Sequence, residues 1–179
     1  MSGSEAIEVA PSGRLRRRGV VKALLRDRGG LLVVAGLGAP AWDITAAGDC
    51  PQNLPLWGGM GSAAMIGLGL AIAQPERRVL VITGDGEMLM AVGALATIAV
   101  QRPPNLSVVV LDNEHYGETG MQPTHTGRGV DLAGMAAAAG FPRTVKANAA
   151  QEVEALRDEI HAGQGPLFAV VKIDAETLP

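Results

Sequence analysis

A chain of 179 residues that is 47% apolar and 18% charged has the length and composition of one globular domain with a sizeable core, which sets disorder aside. Its net charge of -3 offers no basic field for nucleic acid, and the run RLRRR at 14–18 reads as a solvated face. A single cysteine, Cys50, excludes a disulfide framework or a multi-cysteine metal centre and suits a reducing, cytoplasmic setting.

Residues 1–18 are expected to be a flexible start, with 19–179 forming a single domain. The opening MSGSEAIEVAPSG lacks an apolar signal core. GVVKALLRDR (19–28) predicts a short amphipathic helix. LLVVA (31–35) predicts a buried strand that ends at Gly36-Leu37-Gly38. The stretch 39–59 carries Pro40, Pro51, Pro55 and both tryptophans and is expected to be loop. Residues 62–73 read as a helix of small side chains stopped by Pro75. The apolar stretch 58–73 is broken by glycines and shorter than the ~20 residues of a bilayer span, so no membrane partner is expected.

VLVIT (79–83) predicts a second strand, 88–100 a helix, and SVVVL (107–111) a third strand after the break at Pro103-Pro104. Asp131 and Gly140 are the expected caps of a helix over 132–139. A helix over 151–162 places Val153, Leu156 and Ile160 on one face, and 167–173 is the last strand. Wholly apolar strands alternating with helices imply an α/β fold, a three-layer αβα arrangement around a mostly parallel sheet. Such sheets bind ligands beyond the C-terminal strand ends.

The unusual residues fall at those ends. Gly84-Asp85-Gly86 follows one strand and Asp112-Asn113 another. A carboxylate and a carboxamide are hard oxygen donors suited to Mg2+, which combines few protein carboxylates with phosphate oxygens and water. Glycines on either side of Asp85 allow a close ligand approach, and a helix starting near Glu87 would aim free amides at the same anion. Taken alone, GDG is an ordinary turn tripeptide. GLGAPA lacks the third glycine of a dinucleotide fingerprint. His115 and His125 have no paired ligand spacing, and the methionines read as core filler. Gln122, Thr124, His125 and Thr126 would either line a polar substrate pocket or cap a loop.

Order and spacing go further: Asn113 lies 28 residues after Asp85, closes its own apolar strand, and is separated from it by one crossover helix. This resembles the thiamine diphosphate signature. LWGGMGSAAMIGLGL, GDGEMLMAVGALATIA, LDNEHYGETGMQPT and DLAGMAAAAGF resemble the pyrophosphate-binding subunit of sulfopyruvate and phosphonopyruvate decarboxylases over about residues 31–173. The resemblance implies that Asp85, the Asn113 side chain and the His115 carbonyl bind Mg2+. It implies further that Gly84, Gly86 and Glu87 lie along the diphosphate, that Tyr116 and Gly117 cover it, and that Gly36 and Gly38 contribute from the first strand end. Met60, Gly61 and Ser62 match the segment beside the aminopyrimidine ring.

By the same resemblance the cofactor carries the decarboxylation of a 2-oxo acid, and the activating glutamate sits on a separate pyrimidine-domain (alpha) subunit. The chain is therefore expected to be a β-type subunit, inactive alone, in a heterotetramer or larger assembly. Trp42-Asp43 stands where related decarboxylases of sulfonated substrates have Arg-Glu, which points to a less charged 2-oxo acid. The alternatives are an acetolactate-synthase-like carboligase subunit and a non-catalytic αβα binding module.

Overall fold

A computed structural model describes residues 6–177. Six parallel strands form one sheet in the order β2-β1-β3-β4-β8-β7. They are β1 (Leu32–Ala35), β2 (Asn53–Pro55), β3 (Val79–Gly84), β4 (Leu106–Asp112), β7 (Arg143–Ala147) and β8 (Leu167–Lys172). A second, two-stranded antiparallel sheet pairs β5 (His115–Tyr116) with β6 (Gln122–Pro123).

The strand side chains alternate between two cores. Val33, Leu80, Ile82, Val109 and Val171 pack on one face against α1 (Arg17–Leu25), α2 (Ala39–Ala46) and α7 (Ala150–Ala162). Val34, Val81, Val108, Val110 and Phe168 pack on the other, against α3 (Ala63–Ala73), α5 (Ala94–Gln101) and α6 (Leu132–Ala139). Both faces are covered, which is why the central strands lack polar alternation: β4 is buried at every position. Phe141 and Phe168 meet edge to face at 5.6 Å, a favoured geometry for two rings in so small an aromatic inventory. The expected three-layer αβα architecture is the observed one.

Several elements differ from expectation. Residues 39–59 hold both α2 and β2: Pro40 sits in the first turn of α2, where a missing N–H costs nothing. The helix expected over 88–100 is two, α4 (Asp85–Met90) and α5, separated at 91–93. β7 is a half-exposed edge strand whose RTVKA pattern carries little apolar signal. Asp131 caps α6 by accepting from the Gly134 N–H at 3.0 Å, and Gly140 ends it at φ 106°.

The flexible start expected over 1–18 lies outside the described residues for 1–5 and is corrected for the rest. Ile7, Ala10 and Leu15 are buried, and Leu15 bridges both Val9 and Ile173. Arg17, already in α1, is buried against Asp43. The apolar residues of this strap are too sparse to show a period, and the basic run around them hides the packing.

Candidate functional site

β3 and β4 are direct neighbours, with Gly84 in register with Leu111. The residues that follow, Asp85 on one strand and Asp112-Asn113 on the other, therefore emerge side by side at the C-terminal edge of the sheet. Asp85 and Asn113 line one cavity of about 780 Å³. Met60, Gly84, Gly86, Glu87, His115, Tyr116 and Gly117 line it as well.

Asp85 is 1% exposed. Its Oδ2 accepts from Thr124 Oγ1 at 2.5 Å and lies 3.1 Å from Thr126 Oγ1. Among the described residues it has no basic partner. Burial pushes its carboxyl pKa up and the neighbouring Asp112 charge adds to that, while the threonine hydroxyls work against it. A buried carboxylate with no basic side chain beside it among the described residues suits a cation.

Asp112, 2% exposed, has the opposite arrangement. Its Oδ2 pairs with Lys172 at 2.7 Å, and its Oδ1 accepts from the Glu114 N–H at 3.1 Å. Lys172 also reaches Glu114 Oε1 at 2.8 Å, and Arg14 holds the other Glu114 oxygen at 2.9 Å. Burial opposes the charge on Lys172, but its bonds to Asp112 and Glu114 prevail and its pKa is raised. The bond to Lys172 chiefly lowers that of Glu114. Asp112 thus points away from the cavity into scaffold.

This scaffold fixes the turn that carries the other donors. Glu114 adopts φ 65°, an uncommon conformation for a residue with a side chain. Its N–H is held by Asp112, and its carbonyl accepts from the Thr124 N–H at 2.8 Å. Carbonyls alternate along a strand, so that of His115 points away from β6. Pro123, opposite His115, has no N–H to offer. Asn113 Oδ1 accepts from the His115 N–H at 2.9 Å, and a carboxamide oxygen keeps a second lone pair. One carboxylate oxygen, one carboxamide oxygen and one backbone carbonyl, from residues lining one cavity, are hard donors of the type Mg2+ takes and could hold it. Among the described residues, no group of three or more His, Cys, Asp or Glu side chains could hold a metal.

Gly36, Gly38, Gly61 and Ser62 do not line the cavity; two of them support it through Glu87. The Glu87 carboxylate is buried, accepting from Thr83 Oγ1 at 2.9 Å and from the Gly61 N–H at 3.2 Å. A Cβ on Gly36 would collide with that carboxylate. One on Gly86 would collide with the Tyr116 ring, which lies directly over it. Gly38 leaves room for Glu118, and Ser62 donates to the Gly59 carbonyl at 2.6 Å. The α4 helix is only six residues long, so it supplies less of a dipole than the expected long helix would.

Gln122, Thr124, His125 and Thr126 are not cavity walls. Thr124 and Thr126 are buried beneath Asp85, and Gln122 bonds Thr119. Of the methionines, Met88 is core, whereas Met60, Met65, Met90 and Met135 are substantially exposed. Trp42, which the sequence sets at the substrate-recognition position, lines the cavity, whereas sequence reasoning missed Arg17 and Arg18 as cavity residues. Trp42 meets Trp57 edge to face at 4.8 Å. The two arginines both pair with Asp43, itself 1% exposed. The signal that could have found them was the RLRRR run, whose arginines belong partly to α1.

A parallel αβα sheet that gathers polar residues in a cavity at two adjacent strand ends is of the class that binds ligands beyond its C-terminal strand ends. The family model described as "Thiamine pyrophosphate enzyme, C-terminal TPP binding domain" matches residues 43–171, and the chain belongs to that family. It is 42% identical over 142 residues to sulfopyruvate decarboxylase subunit beta of Methanothermobacter thermautotrophicus, covering 79% of this chain and 73% of that one. It is also 42% identical over 109 residues to phosphonopyruvate decarboxylase of Streptomyces hygroscopicus, covering 61% of this chain but 27% of that larger protein. The solved structure of benzoylformate decarboxylase from Polynucleobacter necessarius superposes with a TM-score of 0.77 over 92% of this chain and 34% of its own, at 21% identity. That likeness concerns the fold alone.

Proposed function

We propose that the chain is the β-type subunit of a thiamine diphosphate-dependent 2-oxo acid decarboxylase, of the sulfopyruvate and phosphonopyruvate kind. It holds the Mg2+-diphosphate end of the cofactor and is completed by a pyrimidine-domain subunit in a heterotetramer or larger assembly, in the cytoplasm. No helix among the described residues is long and apolar enough to cross a membrane. The observation that carries the reading is Asp85: buried, without a basic partner among the described residues, and sharing a cavity with Asn113.

Thiamine diphosphate, when bound, supplies the electron sink for loss of the carboxylate of a 2-oxo acid. The residues of this chain bind and orient. Asp85, the Asn113 side chain and the His115 carbonyl would hold Mg2+. Gly84 and Gly117 would let the backbone come close to the diphosphate, and Gly86 makes room for the Tyr116 ring, which would cover it. The Glu87 carboxylate holds the Gly61 backbone, so that Met60 stands at the cavity wall, where it would lie beside the aminopyrimidine ring. Arg17 and Arg18 line the same cavity, but both pair with the buried Asp43 and four carboxylates, Asp85, Glu87, Glu118 and Glu176, stand on its walls, which keeps the less charged 2-oxo acid that Trp42-Asp43 points to.

The test is a titration of the chain, alone and with its partner subunit, with thiamine diphosphate in the presence and absence of Mg2+. Trp42, on the cavity wall, serves as the fluorescent reporter. Uptake should need Mg2+ and disappear in Asp85→Ala, and carbon dioxide should be released from sulfopyruvate only when both subunits are present. Decarboxylation by the chain alone would refute the partner requirement, and Mg2+-independent uptake would refute the metal assignment.

A further inference from the structure

Two hydroxyls serve two carboxylates beneath the cavity. Thr126 Oγ1 lies 2.8 Å from Asp112 Oδ1, 2.9 Å from Thr124 Oγ1 and 3.1 Å from Asp85 Oδ2. Thr124 Oγ1 donates to the same Asp85 oxygen at 2.5 Å. All four side chains are buried. Both hydroxyl contacts fall on Oδ2 of Asp85; its Oδ1 has no hydrogen bond from any described side chain.

We propose that Thr124 and Thr126 are positioning residues for the metal ligand. They clamp Asp85 through Oδ2 so that Oδ1 is presented to the divalent cation, and Thr126 ties that carboxylate to the Asp112–Lys172 pair at the next strand end. The inference rests on the reading that Asp85 ligates Mg2+.

Simple satisfaction of a buried carboxylate would be expected to spread donors over both oxygens. Here two hydroxyls converge on one of them. Thr124 gives its one proton to Oδ2, and the single Thr126 proton is shared between that oxygen and the nearer Asp112 Oδ1, so turning the Asp85 carboxylate breaks the Thr124 bond and the Thr126 contact together. Both threonines also stand just after β6, the strand paired with His115, and the Thr124 N–H holds the Glu114 carbonyl. One segment thereby sets the Asp85 carboxylate and the turn carrying Asn113 and His115 relative to each other. Partners of this kind, one bond removed from a metal, are worth about 10–100-fold in metal affinity.

The experiment uses the full chain with Mg2+ and thiamine diphosphate, read by tryptophan fluorescence. Thr126→Val keeps the side-chain shape and removes the hydroxyl. It should raise the Mg2+ concentration at half-saturation by about tenfold, while Thr126→Ser returns it to within about twofold of the parent. Uptake of thiamine diphosphate at saturating Mg2+ should be unchanged in both, a split that loss of packing would not produce. If Thr126→Val fails to fold by circular dichroism, Thr124→Val is measured in the same way and should show the same shift. An unchanged Mg2+ requirement in the folded valine variant, or a serine variant as impaired as the valine, overturns the inference while leaving the cofactor reading intact. Absence of Mg2+-dependent uptake in the parent chain overturns both.

Discussion

Asp85 and Asp112 close adjacent strands and are about equally buried, yet they are partnered in opposite ways. Asp112 pairs one oxygen with Lys172 and accepts from the Glu114 amide at the other. Among the described side chains, Asp85 bonds only threonine hydroxyls. Removing a charge from water is costly unless it is paired. The first carboxylate is paid for within the fold, whereas the second calls for a cation from outside. The difference teaches that burial alone does not mark a site: the mark is burial with the counter-charge withheld, facing a cavity.

The largest expected effect comes from removing the withheld charge. Asp85→Asn should reduce Mg2+-dependent uptake of thiamine diphosphate by roughly 100-fold or more, since a charged ligand becomes neutral. Stability should move the other way. The folded-state pKa of Asp85 is raised from 3.8, so the stability it contributes is complete below that value and is lost as the pH rises through the folded pKa. At neutral pH and in the presence of EDTA, Asp85→Asn should therefore melt higher, by about 3 °C. A lower melting temperature in calorimetry would break the contrast with Asp112.

Lys172→Met inverts the comparison by leaving Asp112 as the unpaired carboxylate. It should cost about 2 kcal/mol, less than a fully buried pair because Lys172 is partly exposed, and lower the melting temperature by roughly 6 °C. Gly36→Ala tests the support beneath the cavity rather than its charge. The added Cβ meets the Glu87 carboxylate, so a loss of about 1–2 kcal/mol in urea unfolding is expected. Arg143→Met sharpens the role of burial. Its bidentate pair with Glu159 lies at 2.7 and 2.8 Å but is largely solvated, and its removal should change stability by less than about 0.5 kcal/mol.

Much of the architecture was legible because it follows from periodicity. The runs at 31–35, 79–83, 107–111 and 167–173 are apolar but for Thr83, Ser107 and Lys172, and only a sheet covered on both faces buries such strands. The central strands and their parallel sense follow from that pattern. The edges did not: β7 and β2 make contacts on one side only and need no continuous apolar run, so RTVKA and NLP carried little signal. α2 was hidden by Pro40 and Trp42, residues that read as loop until their position in the first helical turn is known. At the site, the Asp85 and Asn113 pair was legible from spacing. The role of Glu87 was not, because its carboxylate turns back to the Gly61 amide and the Gly36 backbone, contacts far apart in the chain.

The chain by itself determined which strand ends would carry oxygen donors, since alternating apolar runs and crossover helices fix the side of the sheet on which each turn emerges. Only the tertiary structure decided which of the two buried aspartates is left without a counter-charge. Lys172, Thr124 and Thr126 come from segments that no local pattern connects to Asp85 or Asp112, and the electrostatics of a buried group depend on what folding brings within a few ångströms of it.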